Sequence, residues 1–248
     1  MIDATLPAKI VKEMVNVIKD LTMDVNIHFD TGKMEMSGID PEHVCVVYWC
    51  IKNDKITADH SVYGMYMNSL YKFLRSAEKD DELVIKSHDQ GLKFSITSPN
   101  KQIEFTFYNI IIPVEPIVQL DRDNTDGQVF IKTSVLQKAL RDVSHNSKIV
   151  KLEVDTLGSI SFTTKGDSGI GGVLFSYDSP DIVWCYRHFD SYKKSFYLQY
   201  FDKFVKSSVT EFVSFKFDSL LYMEYIHDAE DGMHNLTIGL SPFIDSLV

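Results

Sequence analysis

The chain has 248 residues, of which 44% are apolar and 24% charged, so it can form one large or two ordinary globular domains. This composition excludes a disordered chain, and the lack of a long apolar run or a signal-peptide pattern argues against a membrane-spanning or secreted class. A net charge of -10 would repel nucleic acid if the charges were spread evenly.

In chain order, the first half begins with an amphipathic segment, IVKEMV at 10–15. Segments rich in β-branched and aromatic residues follow, and turn residues separate them. A second amphipathic segment, LYKFLR at 70–75, is followed by further segments rich in β-branched and aromatic residues. The sequence therefore predicts two helices and six strands here, the strands at 24–29, 33–37, 44–51, 82–86, 92–98 and 102–110.

The second half repeats this plan after a segment, 112–127, that contains two prolines, several Asp and Asn residues and a closing glycine. Its helical segments are LQKALR at 136–141 and FDKFVK at 201–206. We interpret the chain as a tandem duplication in the order helix, strands, helix, strands, with domains at 1–111 and 128–248 and a linker at 112–127. Strands are predicted at 149–154, 159–163, 173–177, 182–187, 213–217, 221–227 and 236–240.

The four amphipathic segments share one pattern and are spaced 60, 66 and 65 residues apart. Apolar residues occupy positions one and five of each copy, Lys occupies position three, and the last three copies add Arg or Lys at position six. At 100° per residue these two sets point in roughly opposite directions, which predicts helices of roughly 13 residues with an apolar back and a cationic front.

Ten of the 25 basic residues lie on these four helices, which leaves 15 basic against 35 acidic residues elsewhere, a balance of -20. Segregated positive charge can hold a polyanion at one face. The alternative, that these residues only solvate surface helices, stays open, and His145 could equally contact phosphate or cap the third helix. The predicted DNA-binding residues are Lys9, Lys12, Lys19, Lys72, Arg75, Lys79, Lys138, Arg141, His145, Lys203 and Lys206.

Neither catalysis nor metal binding is indicated. The segment 166–172 (GDSGIGG) resembles a serine-protease loop, but a nucleophile also needs a base and an oxyanion hole, and we expect a hairpin loop there. The histidines show no metal-ligand spacing, and the chain has no phosphate-binding glycine loop, so no cofactor is expected. The three cysteines, Cys45, Cys50 and Cys185, form no CxxC pair and are expected to be buried free thiols in an intracellular protein.

Five short segments carry a family resemblance: 18–21 (IKDL), 38–44 (GIDPEHV), 140–145 (LRDVSH), 221–231 (LYMEYIHDAED) and 240–244 (LSPFI). They resemble the proliferating cell nuclear antigen family, the DNA sliding clamps of eukaryotes, archaea and some large DNA viruses, and they occur in the family's order over essentially the whole length. The resemblance implies an α+β DNA clamp fold of two duplicated domains, each with two helices on antiparallel sheets, and a head-to-tail ring of three subunits.

The resemblance also implies two protein-binding regions. Strand 102–110 would pair with 173–177 of a neighbouring subunit through Phe105, Phe107, Val173 and Phe175, although each could instead belong to its own core. A client pocket would accept a 3₁₀ turn with apolar and aromatic anchors; Gly239 stands where the family often has an aromatic residue, so the pocket is wider or prefers other peptides. The pocket residues implied are Ile39, His43, Val44, Val46, Val118, Leu120, Leu220, Gly239, Ser241, Pro242 and Ile244.

The implied function is that of a clamp that encircles duplex DNA without reading its sequence and tethers a polymerase. Its partners would be DNA, a polymerase and other clamp-binding-motif proteins, and a clamp loader, with no membrane. It would act in the nucleus or at a site of viral DNA replication, or in the cytoplasm if archaeal. Two alternatives stay open: a monomeric or dimeric processivity factor that holds DNA by charge, and a clamp-fold scaffold that does not encircle DNA. An enzyme is the weakest interpretation.

Overall fold

The computed structural model describes residues 1–114, 116–118, 120, 124–207, 209–229 and 232–243. The chain forms two compact units. Each consists mainly of one half of the chain and also includes a short segment from the other half. The domain boundaries at 111 and 127, inferred from composition, remain predictions. Unit 1 comprises Met1–Pro41, Val47–Gln119 and Ile226–Leu236, and unit 2 comprises Glu42–Val46, Leu120–Tyr225 and Thr237–Val248.

Both halves of the chain have the same element order, which is strand, helix, five strands, helix, three strands. The first half contains β1 (Ile2–Pro7), α1 (Ala8–Ile18), β2 (Asp24–Asp30), β3 (Lys33–Ile39), β4 (Cys45–Lys52), β5 (Ile56–Ala58), β6 (Ser61–Tyr66), α2 (Met67–Leu74), β7 (Glu82–His88), β8 (Gly91–Ser98) and β9 (Lys101–Tyr108). The second half contains β10 (Gly127–Lys132), α3 (Thr133–Val143), β11 (Ile149–Val154), β12 (Ile160–Gly166), β13 (Gly169–Phe175), β14 (Ile182–Arg187), β15 (Tyr192–Tyr197), α4 (Leu198–Val205), β16 (Phe212–Phe217), β17 (Leu221–Ala229) and β18 (Gly232–Leu240).

Equivalent strands hold equivalent positions in the antiparallel sheets. In unit 1 the strand orders are β5-β1-β7-β8-β9 and β4-β3-β2-β6, and in unit 2 they are β14-β10-β16-β17 and β13-β12-β11-β15. Strands β4, β17 and β18 contribute residues to both units. The predicted duplication is therefore present in the fold itself, which is of the α+β class.

The helices bury the apolar faces that the repeat predicts. At positions one and five of the last three copies, every residue is buried, and in the first copy Met14 is buried while Ile10 is half-buried. Burying one such side chain contributes about 1.5–3 kcal/mol, so these residues fix the rotation of each helix about its axis. The buried residues of the last three copies are Leu70, Leu74, Leu136, Leu140, Phe201 and Val205.

Each helix follows a strand without an intervening turn and has no side-chain cap at its N-terminus. Instead, its first backbone N–H donates to a carbonyl far away in sequence. Because the first amides of a helix lack intrahelical partners, these bonds replace a capping side chain. The pairs are Ala8 to Asp81 at 3.0 Å, Met67 to Met23 at 3.0 Å, Thr133 to Glu211 at 2.8 Å and Leu198 to Lys148 at 2.8 Å.

The helices are shorter than predicted, with 11, 8, 11 and 8 residues. Placing Lys79 on the second helix was wrong, because α2 ends at Leu74. The following turn is fixed by Asp81, whose carboxylate accepts the Glu78 N–H at 2.9 Å and the Ser98 hydroxyl at 2.5 Å. These bonds hold the pKa of Asp81 below its usual value, the Ser98 bond contributing most.

The predicted strand pattern was incomplete. Both halves begin with a strand rather than a helix, and Gly127, assigned to the linker, is the first residue of β10. The segment 166–172 is a hairpin, as expected, and its loop is short because β12 extends to Gly166 and β13 begins at Gly169. A side chain at Gly166 would meet the Asn146 carbonyl oxygen 1.8 Å from its Cβ, which explains the glycine there. The strands that were not predicted are β1, β5, β6, β10 and β15.

Candidate functional sites

The basic face of unit 1 lies on α1, α2 and the turn that follows α2. The two helices pack against each other. Lys9, Lys72, Arg75 and Lys79 are exposed there, and their charges are accessible to a ligand.

The other two predicted cations of unit 1 have structural partners. The Lys12 ammonium donates to the carbonyls of Arg75 at 3.1 Å and Ala77 at 2.7 Å, at the C-terminal end of α2 where carbonyls lack intrahelical donors. The Lys19 ammonium lies 2.8 Å from an Asp20 carboxylate oxygen and 4.7 Å above the Tyr71 ring. The ammonium groups of Lys12 and Lys19 are thus less available to bind a ligand than the sequence suggested.

The basic face of unit 2 lies on α3 and α4. Lys138, Arg141 and Lys206 are exposed, whereas Lys203 is half-buried with its ammonium 5.2 Å from the centre of the Tyr200 ring. His145 is exposed and follows Ser144, the C-terminal cap of α3, so it extends the face beyond the helix.

Acidic side chains interrupt the basic faces of both units, and a count of Lys and Arg alone does not reveal them. Glu13 lies 3.9 Å from Lys9 on α1, and burial raises the pKa of its carboxyl despite the nearby cations. Asp202 on α4 is half-buried, and burial raises its pKa as well. It lines two adjoining cavities of about 640 and 320 Å³, the smaller of which is also lined by Arg141 and Lys206.

In unit 1, two of the predicted client-binding residues lie in one groove. Strands β2 and β3 and residues 112–113 and 116–118 enclose about 230 Å³, with Ile39 and Val118 in the lining. The Val118 N–H donates to the Ser37 hydroxyl at 2.9 Å, and the Pro113 carbonyl accepts from the Asn26 amide at 2.9 Å. Ile39 is 43% exposed, as an anchor for an apolar ligand requires.

In unit 2, the structure brings further client-binding residues together in two pairs. The Ser241 N–H donates to the Val44 carbonyl at 2.9 Å. A Cβ at Gly239 would lie 3.2 Å from the Tyr222 ring and 3.6 Å from Leu120, so an aromatic ring from the neighbouring strand fills the space beside this glycine.

The remaining predicted pocket residues of unit 2 differ in exposure and backbone conformation. His43 is exposed and has φ 57°, a left-handed conformation that is uncommon outside glycine. Val46, Leu220 and Pro242 are half-buried. Ile244 lies outside the described residues. Tyr222 could not be selected from the sequence, because an aromatic residue is equally typical of a core strand.

The predicted subunit-boundary strands, β9 and β13, are the end strands of their sheets. Phe107 and Phe175 are buried in their own units, at 7% and 5% exposure, against Phe94 and Phe162 respectively. Val173 is half-buried, and Phe105 is 53% exposed. Alternation along β13 identifies the exposed apolar residues that the sequence interpretation missed, Ile170 at 70% and Leu174 at 64%.

The cysteines are free thiols, with Cys45 and Cys50 buried, but the expectation of burial was wrong for Cys185, which is exposed on β14. Among the described residues, no group of three or more His, Cys, Asp or Glu side chains is arranged to hold a metal ion. Within that same part of the chain, no helix has the length and apolar character needed to cross a membrane.

Comparison with known proteins agrees with these features. A family model described as the N-terminal domain of proliferating cell nuclear antigen matches residues 1–115. The chain is 27% identical to proliferating cell nuclear antigen 1 of Plasmodium falciparum over 84% of its length and 81% of the relative's. The chain is thus similar to the proliferating cell nuclear antigen family, through the family model over residues 1–115 and through this relative over most of its length.

Two further relatives from this family are similar over most of their length. The proliferating cell nuclear antigen of Dictyostelium discoideum is 27% identical over 72% of both chains, and that of Chaetomium thermophilum is 25% identical over 70% of both. The duplicated strand and helix order is thus the DNA clamp fold of the proliferating cell nuclear antigen family, whose members are sliding clamps of DNA replication.

Proposed function

We propose that three copies of this chain close into a ring that encircles duplex DNA and acts as a polymerase processivity factor. The observation that carries the proposal is the paired helices of each unit, which bury apolar backs on the sheets and expose cations on the opposite side. Such contacts suit a sliding protein, because phosphate contacts position a protein on DNA without reading its sequence.

The number of charges supports contacts that can be exchanged. Helix α1 has 11 residues and is about 16 Å long, a distance over which duplex DNA exposes about ten phosphates. Each copy exposes seven of the predicted DNA-binding Lys and Arg residues, so three copies present about twenty-one to the DNA. The acidic remainder of the chain would repel DNA, so ring closure rather than affinity retains it.

Ring closure is proposed to use two of the sheet edges, those formed by β9 and β13. Pairing β9 of one copy with β13 of the next would join a five-stranded and a four-stranded sheet and cover both edges, which otherwise invite aggregation. Phe105, Ile170 and Leu174 supply exposed apolar surface for this pairing.

The client site is proposed to accept a short turn with apolar and aromatic anchors. Two surfaces are each proposed for this role: the groove of unit 1 that contains Ile39 and Val118, and the surface of unit 2 formed by Val44, Gly239 and Ser241. Polymerases and other clamp-binding-motif proteins would dock there, and a separate ATP-using loader would open the ring, since this sequence has no phosphate-binding glycine loop. The family is non-enzymatic, and we propose no catalytic role. The proposed location is the nucleus or a site of viral DNA replication.

The test reverses the charges of Lys72, Arg75, Lys138 and Arg141 to Glu. We expect the variant to lose stimulation of primer extension by the replicative polymerase of the source organism. Native mass should remain three times that of the 28.4 kDa chain, because none of the four lies on β9 or β13.

A matched control reverses four exposed lysines outside the helices, Lys52, Lys55, Lys86 and Lys193. It changes the net charge equally and should leave stimulation unchanged. If the helix variant stimulates as well as the control, the basic faces do not hold DNA. A native mass below three chains in the unmodified protein would instead favour the monomeric or dimeric processivity factor.

A further inference from the structure

One short stretch of unit 2, residues 195–200 at the junction of β15 and α4, binds two segments of the proposed client site. The Tyr200 hydroxyl and the Gln199 amide both donate to the same carboxylate oxygen of Glu42, at 3.2 and 3.4 Å. These bonds connect a helix of the basic face to the loop 42–44, which directly precedes β4 and lies more than 150 residues earlier in the chain.

The same stretch also holds the C-terminal segment. The Phe243 N–H donates to the Ser195 carbonyl at 2.7 Å, and the Phe243 ring packs edge-on against Tyr197 with centroids 5.3 Å apart. Since the Ser241 N–H donates to the Val44 carbonyl, loop and C-terminal segment are joined to each other and to this junction.

The loop needs such support because its backbone is strained. His43 has φ 57°, and a non-glycine residue keeps this conformation only where its surroundings enforce it. Glu42 directly precedes His43, and Val44 directly follows it. The bonds to Glu42 therefore act one residue from the strained position and two residues from the carbonyl that receives Ser241.

Tyr200 is suited to enforce this conformation. Its side chain is 1% exposed, so packing fixes the ring and with it the position of the hydroxyl. Glu42, in contrast, is exposed, and without a fixed donor its carboxylate would sample several rotamers.

We propose that Tyr200 is a positioning residue for client binding: through Glu42 it keeps His43 and Val44 in the conformation that forms the unit 2 surface of the client site with Ser241. This inference depends on the client site of the proposed function. It assigns to a buried residue of α4 a role at a surface formed by distant parts of the sequence.

The test replaces Tyr200 by Phe, which removes the hydroxyl and keeps the buried ring. We expect a fluorescent synthetic peptide, with apolar and aromatic anchors on a 3₁₀ turn, to bind roughly fivefold more weakly, the equivalent of one net hydrogen bond. Glu42→Ala should weaken binding similarly, and the double variant should be no weaker than either single variant, because both changes remove one interaction. Tyr71→Phe, on the matching helix of unit 1, should bind as the unmodified protein does.

A second measurement does not depend on the peptide. Hydrogen exchange at the Ser241 amide should be faster in Tyr200→Phe than in the unmodified protein or in Tyr71→Phe, because the Val44 carbonyl is no longer held in place.

The two measurements separate the possible failures. If the peptide binds the unmodified protein and Tyr200→Phe equally well, the positioning role is wrong and the client site stands. If the peptide does not bind the unmodified protein, the client site is wrong, and unchanged Ser241 exchange would then overturn the positioning role on its own.

Discussion

Asp202 illustrates how a single residue can oppose the trend of the surface around it. It lies half-buried between α3 and α4, where Arg141, Lys206, Lys148 and Glu42 also line the adjoining cavities. Burial raises the pKa of its carboxyl. A carboxyl whose folded pKa exceeds its unfolded pKa favours folding when protonated, so this contribution is lost as pH rises through the folded pKa.

Replacing Asp202 by Asn should therefore stabilise the protein at neutral pH and have little effect in acid. We expect the free energy of unfolding to rise by less than about 1 kcal/mol, because solvent screens a half-exposed group. Urea unfolding at pH 7.5 and near pH 4 measures this rise. Asp142→Asn, at an exposed position of α3, serves as the control; an equal gain in both variants would show that net charge rather than burial is responsible.

The functional side chains could be predicted from the sequence by type but not by orientation. Repetition of Lys and Arg in one helical phase identified Lys72, Arg75, Lys138 and Arg141 correctly as exposed cations. It could not show that Lys12, in the same phase, reaches the end of another helix, because that contact spans more than 60 residues. For the same reason, Glu42 and Tyr200 carried no signal: each is an ordinary residue in its local sequence.

At the scale of elements, Lys12 of α1 links this helix to the C-terminal end of α2. Its ammonium satisfies two carbonyls at the end of α2, an eight-residue helix that could not persist alone in water. Arg75, whose carbonyl is one of the two, belongs to the basic face, so Lys12 also helps to position an exposed cation of that face.

We predict that Lys12→Met lowers the free energy of unfolding by about 1.5–3 kcal/mol, the usual contribution of hydrogen bonds from a charged group. Chemical denaturation measures this loss. Lys9→Met on the same helix removes an exposed lysine with only a weak partner and should cost less than about 0.5 kcal/mol. Equal losses would mean that Lys12 does not cap α2.

Most strands and all four helices could be predicted because alternation and helical periodicity are local properties. The strands β1 and β10 were missed for a physical reason: each continues directly into a helix, so no turn residue marks the change of period. The helix ends were also misplaced, since α2 ends where Asp81 and Ser98 organise the following turn, and Ser98 is distant in sequence.

At the scale of the whole molecule, assembly is proposed to depend on the end strands β9 and β13. The predicted boundary residues Phe107 and Phe175 belong to the cores of their own units, which leaves Phe105, Ile170 and Leu174 as exposed apolar residues suited to a partner. Alternation separates Leu174 from Phe175, which lie on opposite faces of β13, but it could not separate Phe105 from Phe107, which are two residues apart and lie on the same face of β9.

We predict that Phe105→Glu or Leu174→Asp reduces the native mass to that of one chain at micromolar concentration, because a buried charge at an interface is costly. Light scattering coupled to size-exclusion chromatography measures the mass, and circular dichroism checks that the fold is kept. Leu157→Asp, at a position 73% exposed in the turn before β12, is the control and should leave the mass unchanged. A trimer that tolerates both edge changes would place the subunit boundary elsewhere.

The way the four helices begin has a consequence for how the chain folds. Their opening amides depend on carbonyls supplied by loops 40 to 80 positions away, and two of the helices have only eight residues. Loop-closure entropy must therefore be overcome before any helix is complete, which slows folding relative to a bundle stabilised by local contacts. Peptides cut from these segments should be random coils, and during synthesis the cationic surface should form only after the strands behind it have paired.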